Sequence, residues 1–338
     1  MANSGQDAAD WDAGGTQWKD NWTWQPPETA QDGDVFRLVC NVRDGRGGLA
    51  STAGTSMVQT VRVTKRGYII YLQGSPGAPA IYRINANGTQ NDRITDSGVI
   101  DPAFSPDGKK VCVPLGPFGS TQLFLLNIDG SGKRALTSGA GDHRKPLFLL
   151  DGNILFSHGI AGGNAEILKI STDISIPPTT IVASVPGSPR LAVSPDQSLL
   201  AYENSSGASR SIEVIDAHPP YAHRKTVTLS NPAVTHEFPT FLDNHHLAFG
   251  STLSGQFDLY VADLTSTTPP VLLFPADSAQ KQCCCVSPSG SEMVYSRAVG
   301  SGNFALYLVG LAGGLPSGTP RLLFSSSTHN LAYPIWRH

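Results

Sequence analysis

Residues 101–139 read DPAFSPDGKKVCVPLGPFGSTQLFLLNIDGSGKRALTSG, and the pattern in this stretch decides the fold. Its apolar residues alternate at period two, as they must when successive side chains of an extended chain point to opposite faces. The alternation breaks at Pro106-Asp107-Gly108, across 116–120, and at Asp129-Gly130-Ser131-Gly132. Gly, Pro and Asp supply the backbone angles and local hydrogen bonds that chain reversals need. The stretch therefore predicts four short antiparallel strands over 101–105, 110–113, 122–128 and 134–137. One such sheet has two apolar faces and cannot hide both, so copies must stack.

Working outward, the copies are present. Similar units follow at KPLFLLDGNILFS, RLAVSPDQSLLAYE, FPTFLDNHHLAFG and CCCVSPSGSEMVYSRA, and one precedes over about 57–97. The turn residues Gly67, Gly108, Gly152, Gln197, Asn244 and Gly290 recur at intervals of 41 to 47 residues. Six complete sheets result. Residues 34–53 match the second half of the unit, with NWTWQ at 21–25 standing where a second strand belongs. The C-terminal NLAYPIWRH at 330–338 matches a first strand alone. Joining the two ends makes a seventh sheet, closes a ring and removes exposed edges. The expectation is an all-β, seven-bladed β-propeller over 21–338 with an N-terminal arm at 1–20. The alternative is a six-bladed ring with the first ~55 residues outside it.

The SPDG-type turns in SPDGKKVCV, SPDQSLLAY and SPSGSEMVY, each followed by a strand such as LFLLNIDGSG or FDLYVADL, resemble the repeats of TolB-like, WD-repeat-related propellers. That resemblance implies the fold over nearly the whole chain. It leaves function open, since such propellers serve as protein-binding platforms, as noncatalytic domains of peptidases and as carbohydrate-active enzymes.

Composition narrows the choice. The chain has 338 residues, 35 Gly, 25 Pro and only 15% charged residues, which suits a turn-rich packed β protein. A net charge of -3 gives no reason to expect nucleic acid or an anionic membrane as partner. No apolar run approaches the ~20 residues of a membrane-spanning helix. The start, MANSGQDAADWDAGG, has no basic and apolar leader, so the chain is expected to be soluble, either cytoplasmic or trimmed before maturity. Five cysteines, three of them adjacent at Cys283, Cys284 and Cys285, read as small buried thiols rather than a disulfide framework. Four of the five tryptophans, Trp11, Trp18, Trp22 and Trp24, crowd the N-terminal end, with Trp22 and Trp24 read as in or beside the closing blade and Trp11 and Trp18 as a latch that holds the arm onto it.

Chemistry is sought through the repeat register. In a propeller the innermost strand of each blade begins at one mouth of the central channel. His143 and His236 stand three residues before the matching Pro146 and Pro239, and His329 stands five before Pro334. Arg144, Lys145 and Glu237 lie beside them. His143, His236, His329 and Glu237 are candidate ligands for a divalent metal ion, and His143, His236, Arg144 and Lys145 are candidate catalytic groups. No G-x-S-x-G, H-E-x-x-H or Walker motif occurs. The leading expectation is a module that binds a protein, small-molecule or carbohydrate ligand at one face of the channel. The alternative is a metal-assisted lyase of uronate polysaccharides, as the resemblance implies. A metal ion, or Arg144 and Lys145, would then neutralise the uronate carboxylate while a histidine or tyrosine removes the adjacent proton.

Overall fold

Each SPDG turn is built by the serine that opens it. Ser105 Oγ accepts the Lys110 amide at 2.9 Å and donates to Asp107 at 2.6 Å. The same serine bond recurs from Leu199 to Ser194 at 3.0 Å and from Glu292 to Ser287 at 3.0 Å. Gly108, Gln197 and Gly290 close these turns with φ of 67°, 58° and 70°, a region that costs a residue with a Cβ and suits glycine. This chemistry joins the first and second strands of a blade.

A computed structural model describes 68–74, 80–89, 91–95, 101–205, 210–229, 231, 234–300, 303–326 and 330–337, together with 10–11, 18–19, 35–39 and 58–62. The chain divides into two compact units, Met1–Lys65 and Arg66–His338. In the second unit the described strands form six four-stranded antiparallel sheets. Blade 1 is Tyr68–Gly74, Ala80–Asn85 and Asp92–Arg93, completed by Asn330–Arg337. Blade 2 spans Ala103–Phe104 to Arg134–Ala135, blade 3 His143–Phe148 to Thr179–Pro186, and blade 4 Leu191–Val193 to His223–Val227. Blade 5 spans His236–Phe241 to Val271–Leu272, and blade 6 Lys281–Val286 to Leu315–Phe324.

Period-two alternation sends alternate residues of one strand into different seams. Leu123 and Leu125 pack with Phe148, Ile154 and Phe156 of blade 3, while Phe124 and Leu126 pack with Ile70 and Ile81 of blade 1. Six apolar clusters result, one for each pair of neighbouring blades. The cluster joining blade 6 to blade 1 contains Val294, Leu306, Ile69, Tyr71 and Trp336. Six blades with six seams make a closed ring, since an open array would leave two faces unpacked.

The expectation of seven blades is thus corrected to the six-bladed alternative. The C-terminal strand does complete a blade, but its partner is Tyr68–Gly74, with Asn330 opposite Gly74 and Trp336 opposite Ile69. The strand expected to open blade 1, Val58–Arg62, pairs instead with Val35–Val39 through a five-residue register in the first unit. A strand has two edges, and the inner edge of Tyr68–Gly74 is taken by the C-terminus. Val35–Val39, expected in a seventh sheet, therefore has its described partner locally. In the first unit Asp10–Trp11 also pairs with Trp18–Lys19, placing Trp11 opposite Trp18. Trp22, Trp24, Cys40 and His329 lie outside the described residues.

Cys112, Cys283, Cys284 and Cys285 are buried free thiols, as the sequence led one to expect. Among the described residues no helix is long and apolar enough to cross a membrane.

Candidate binding site at the central channel

The innermost strands carry a recurring irregularity. One extra residue interrupts the pairing between Arg144 and Leu147, Glu237 and Thr240, Gln282 and Cys284, and Ala332 and Ile335. Proline follows at three of these places, Pro146, Pro239 and Pro334, where the missing N–H forbids a ladder bond. Lys145, Phe238 and Cys283 occupy the bulges with φ of 51°, 58° and 39°, and Asp101 stands before Pro102 with φ of 49°. Left-handed backbone is costly for residues with a Cβ, and such strain concentrates at binding and catalytic sites. All four line one small recess of about 140 Å³ at the mouth where the innermost strands begin.

Charge fills this recess. Arg190 of blade 4 reaches two blades away to Asp101, with Nη1 2.6 Å from Oδ1. Its guanidinium lies 4.6 Å from the centre of the Phe238 ring. Glu203 is held by backbone, accepting the Phe238 amide at 2.8 Å and the Arg190 amide at 3.0 Å. Lys145 lies 3.8 Å from Glu203 and donates to the Ser188 carbonyl. Burial pulls the Lys145 ammonium below its ordinary pKa, opposed by the Glu203 carboxylate. At the rim, Arg210 bonds Glu237 at 2.9 Å.

The opposite end of the channel is wider and more apolar. A cavity of about 680 Å³ is lined by Leu147, Leu149, Pro195, Phe241 and Trp336, with Asn244 among the turn residues at its edge. Leu191, Pro239, Thr240, Cys284, Pro334 and Ile335 line both spaces, so the recess and the cavity belong to one channel.

The expected histidine cluster has a different character. His236 is buried against Phe249, with ring centres 5.5 Å apart. Its Nε2 accepts the Leu229 amide at 3.0 Å, so Nδ1 carries the proton toward the Val234 carbonyl 3.2 Å away. Burial lowers its pKa and keeps it neutral. His143 sits in a different seam, with Nδ1 3.2 Å from the Thr121 carbonyl and its ring 4.5 Å from that of His158. Burial, then the neighbouring His158, lowers its pKa. Lys281 opens the innermost strand of blade 6 as the two histidines open theirs. Its ammonium bonds Asp277 at 2.7 Å, Asp258 at 3.1 Å and the Ala279 carbonyl at 3.1 Å. These positions tie neighbouring blades together.

Arg144 and Lys145, adjacent in sequence, part company. Arg144 lies 4.5 Å from the centre of the exposed Phe118 ring and 3.7 Å from Asp142, while Lys145 faces the recess. Glu237 pairs with Arg210 across blades 4 and 5. Among the described residues no group of three or more His, Cys, Asp or Glu side chains is placed to hold a metal ion. Sequence reasoning missed Asp101, Arg190, Glu203 and Phe238. The signal for two of them was present, since Asp101-Pro102 and Phe238-Pro239 align with Lys145-Pro146 in the repeat.

No protein-family profile matches the chain. A curated TolB homolog from Chlorobium luteolum is 31% identical over 97 residues, which is 28% of this chain and 22% of that protein. The chain's match thus spans under a quarter of that relative's length. Among solved structures, TolB from Acinetobacter baumannii superposes with a TM-score of 0.63 at 21% identity, covering 80% of this chain and 66% of that one. A putative TolB from Agrobacterium tumefaciens gives a TM-score of 0.59 at 14% identity, covering 80% of this chain and 99% of that one. The nidogen/laminin complex gives 0.54 at 12% identity, covering 79% and 97%. With SPDG turns, four-stranded blades and a C-terminal strand closing the ring, the chain has a six-bladed β-propeller fold that is similar to the propeller of TolB.

Proposed function

We propose that the chain is a noncatalytic binding module that takes a segment of a protein ligand at the channel mouth lined by Asp101, Lys145, Arg190 and Phe238. The observation that carries this reading is the alignment of four strained residues, Asp101, Lys145, Phe238 and Cys283, on one recess. A bulge re-aims a side chain, and at Lys145 and Phe238 it turns a cation and an aromatic ring to the recess, beside the Arg190 guanidinium, a group enriched at binding hot spots. The likeness to propellers that occur in protein complexes supports a protein rather than a carbohydrate ligand.

A peptide-display library panned against the chain tests the proposal. Enriched peptides should bind the wild-type chain and lose at least tenfold in affinity on Arg190→Glu combined with Phe238→Ala. Peptides that bind both forms alike would place the ligand elsewhere and sink the reading.

A further inference from the structure

We infer that the recess is an anchor for the free C-terminal carboxylate of a peptide, with Arg190 and Lys145 holding the carboxylate and Phe238 packing on the last side chain. This deepens the binding-module reading and rests on it.

The two acids at the recess, Asp101 in its wall and Glu203 beside it, are held differently. Glu203 spends both oxygens on backbone amides, that of Arg190 just before the innermost strand of blade 4 and that of Phe238 at the bulge in the innermost strand of blade 5, so it is part of the scaffold. Asp101 has one hydrogen bond among the described residues, to Arg190, made across two blades by a residue at strained φ. Its carboxylate stands on the guanidinium where an external carboxylate would stand, with the Lys145 charge as a further neighbour. A guanidinium prefers planar, paired contact with carboxylate oxygens, and its stacking on Phe238 already sets its plane. Lys145 supplies the second cation from the neighbouring blade, largely withdrawn from water, where an ion pair is stronger than at the surface.

Size argues for a chain end. The recess of about 140 Å³ is walled by Pro102, Pro146, Pro239 and Pro334, which offer apolar surface and no amide donors. A terminal residue fits such a space, whereas a chain passing through would leave carbonyl oxygens facing prolines, which have no N–H to donate. Displacing Asp101 is therefore the step that admits the ligand. Opposite signs follow for two variants that both break the same ion pair.

The test uses the 338-residue chain and three peptides: acetyl-Ala-Ala-Phe with a free C-terminus, the same peptide amidated, and acetyl-Ala-Asp-Ala amide. Binding is followed by calorimetry and by ligand-observed NMR. The free acid should bind at least tenfold more tightly than either amide. Arg190→Gln and Lys145→Gln should each weaken it at least tenfold, while Asp101→Asn should tighten it several-fold. Melting curves of each variant report whether the propeller is folded. Equal binding of the free acid and its amide would overturn the carboxylate anchor while leaving the binding module standing. Preference for the aspartyl peptide, absence of free-acid binding to folded wild-type chain, or weakening by Asp101→Asn would also overturn it.

Discussion

At the scale of single residues, the side chains that open the innermost strands are structural, and their protonation sets a pH dependence. His236 is neutral in the folded chain because burial lowers its pKa, whereas an unfolded chain takes up a proton near the ordinary histidine value of about 6.5. The unfolded state therefore binds more protons below that value, and stability falls as pH drops through it. The melting temperature is expected to fall between about pH 7 and pH 5, and His236→Gln should flatten that fall. His236→Ala, which leaves the buried Leu229 amide without an acceptor, should cost about 1–3 kcal/mol at pH 7.5 by urea denaturation. Asp277 makes a separate contribution. Burial alone would raise its carboxyl, but Lys281, the Ala279 amide and Arg297 together bring it down to about 2. A depressed carboxyl stabilises the fold above its unfolded pKa near 4, and that contribution is lost as pH falls toward 2. The stability gap between wild type and Asp277→Asn, read from melting curves, should narrow as pH goes from 5 to 2.5.

At the scale of the element, the turns and bulges are specified locally and repeat because the local chemistry repeats. Ser105, Ser194 and Ser287 each accept an amide from the strand that follows, five residues on. Replacing any one by Ala should cost about 1 kcal/mol, with an unchanged denaturant slope because the unfolding unit is the same. The three losses should add, since the turns belong to different blades. Bulges answer to a different demand. At Lys145 and Phe238 the extra residue and the following proline release the strand from its neighbour and re-aim one side chain to the recess.

At the scale of the whole molecule, ring closure joins the stability of every blade. Asn330–Arg337 fills the inner edge of blade 1, and Trp336, 2% exposed, seals its seam with blade 6. Trp336→Ala removes a large side chain from a close-packed seam and should cost about 3–5 kcal/mol by urea denaturation. Deleting 330–338 should do more, because it opens an edge of sheet and two seams together. The expected result is loss of the single cooperative melting transition and binding of a hydrophobic dye, with intact cooperativity as the contrary outcome.

The sequence by itself determined the repeat, the four-stranded unit, the turn positions and the part of the C-terminus as an innermost strand. These depend on period-two patterning and on turn residues, both read within a few tens of residues. Its register also pointed to the mouth of the channel where Lys145 lines the proposed recess. The number of blades was decided only by the tertiary structure, because the segments at 58–62 and 330–337 have the same alternating character. Which of them occupies the inner edge of Tyr68–Gly74 is a competition between distant strands. The choice between His143 and Lys145 as channel-facing residues was likewise tertiary. Two positions of strand separate a seam from a recess, and a single-residue bulge between them, invisible to periodicity, turned Lys145 inward and left both histidines packed between blades.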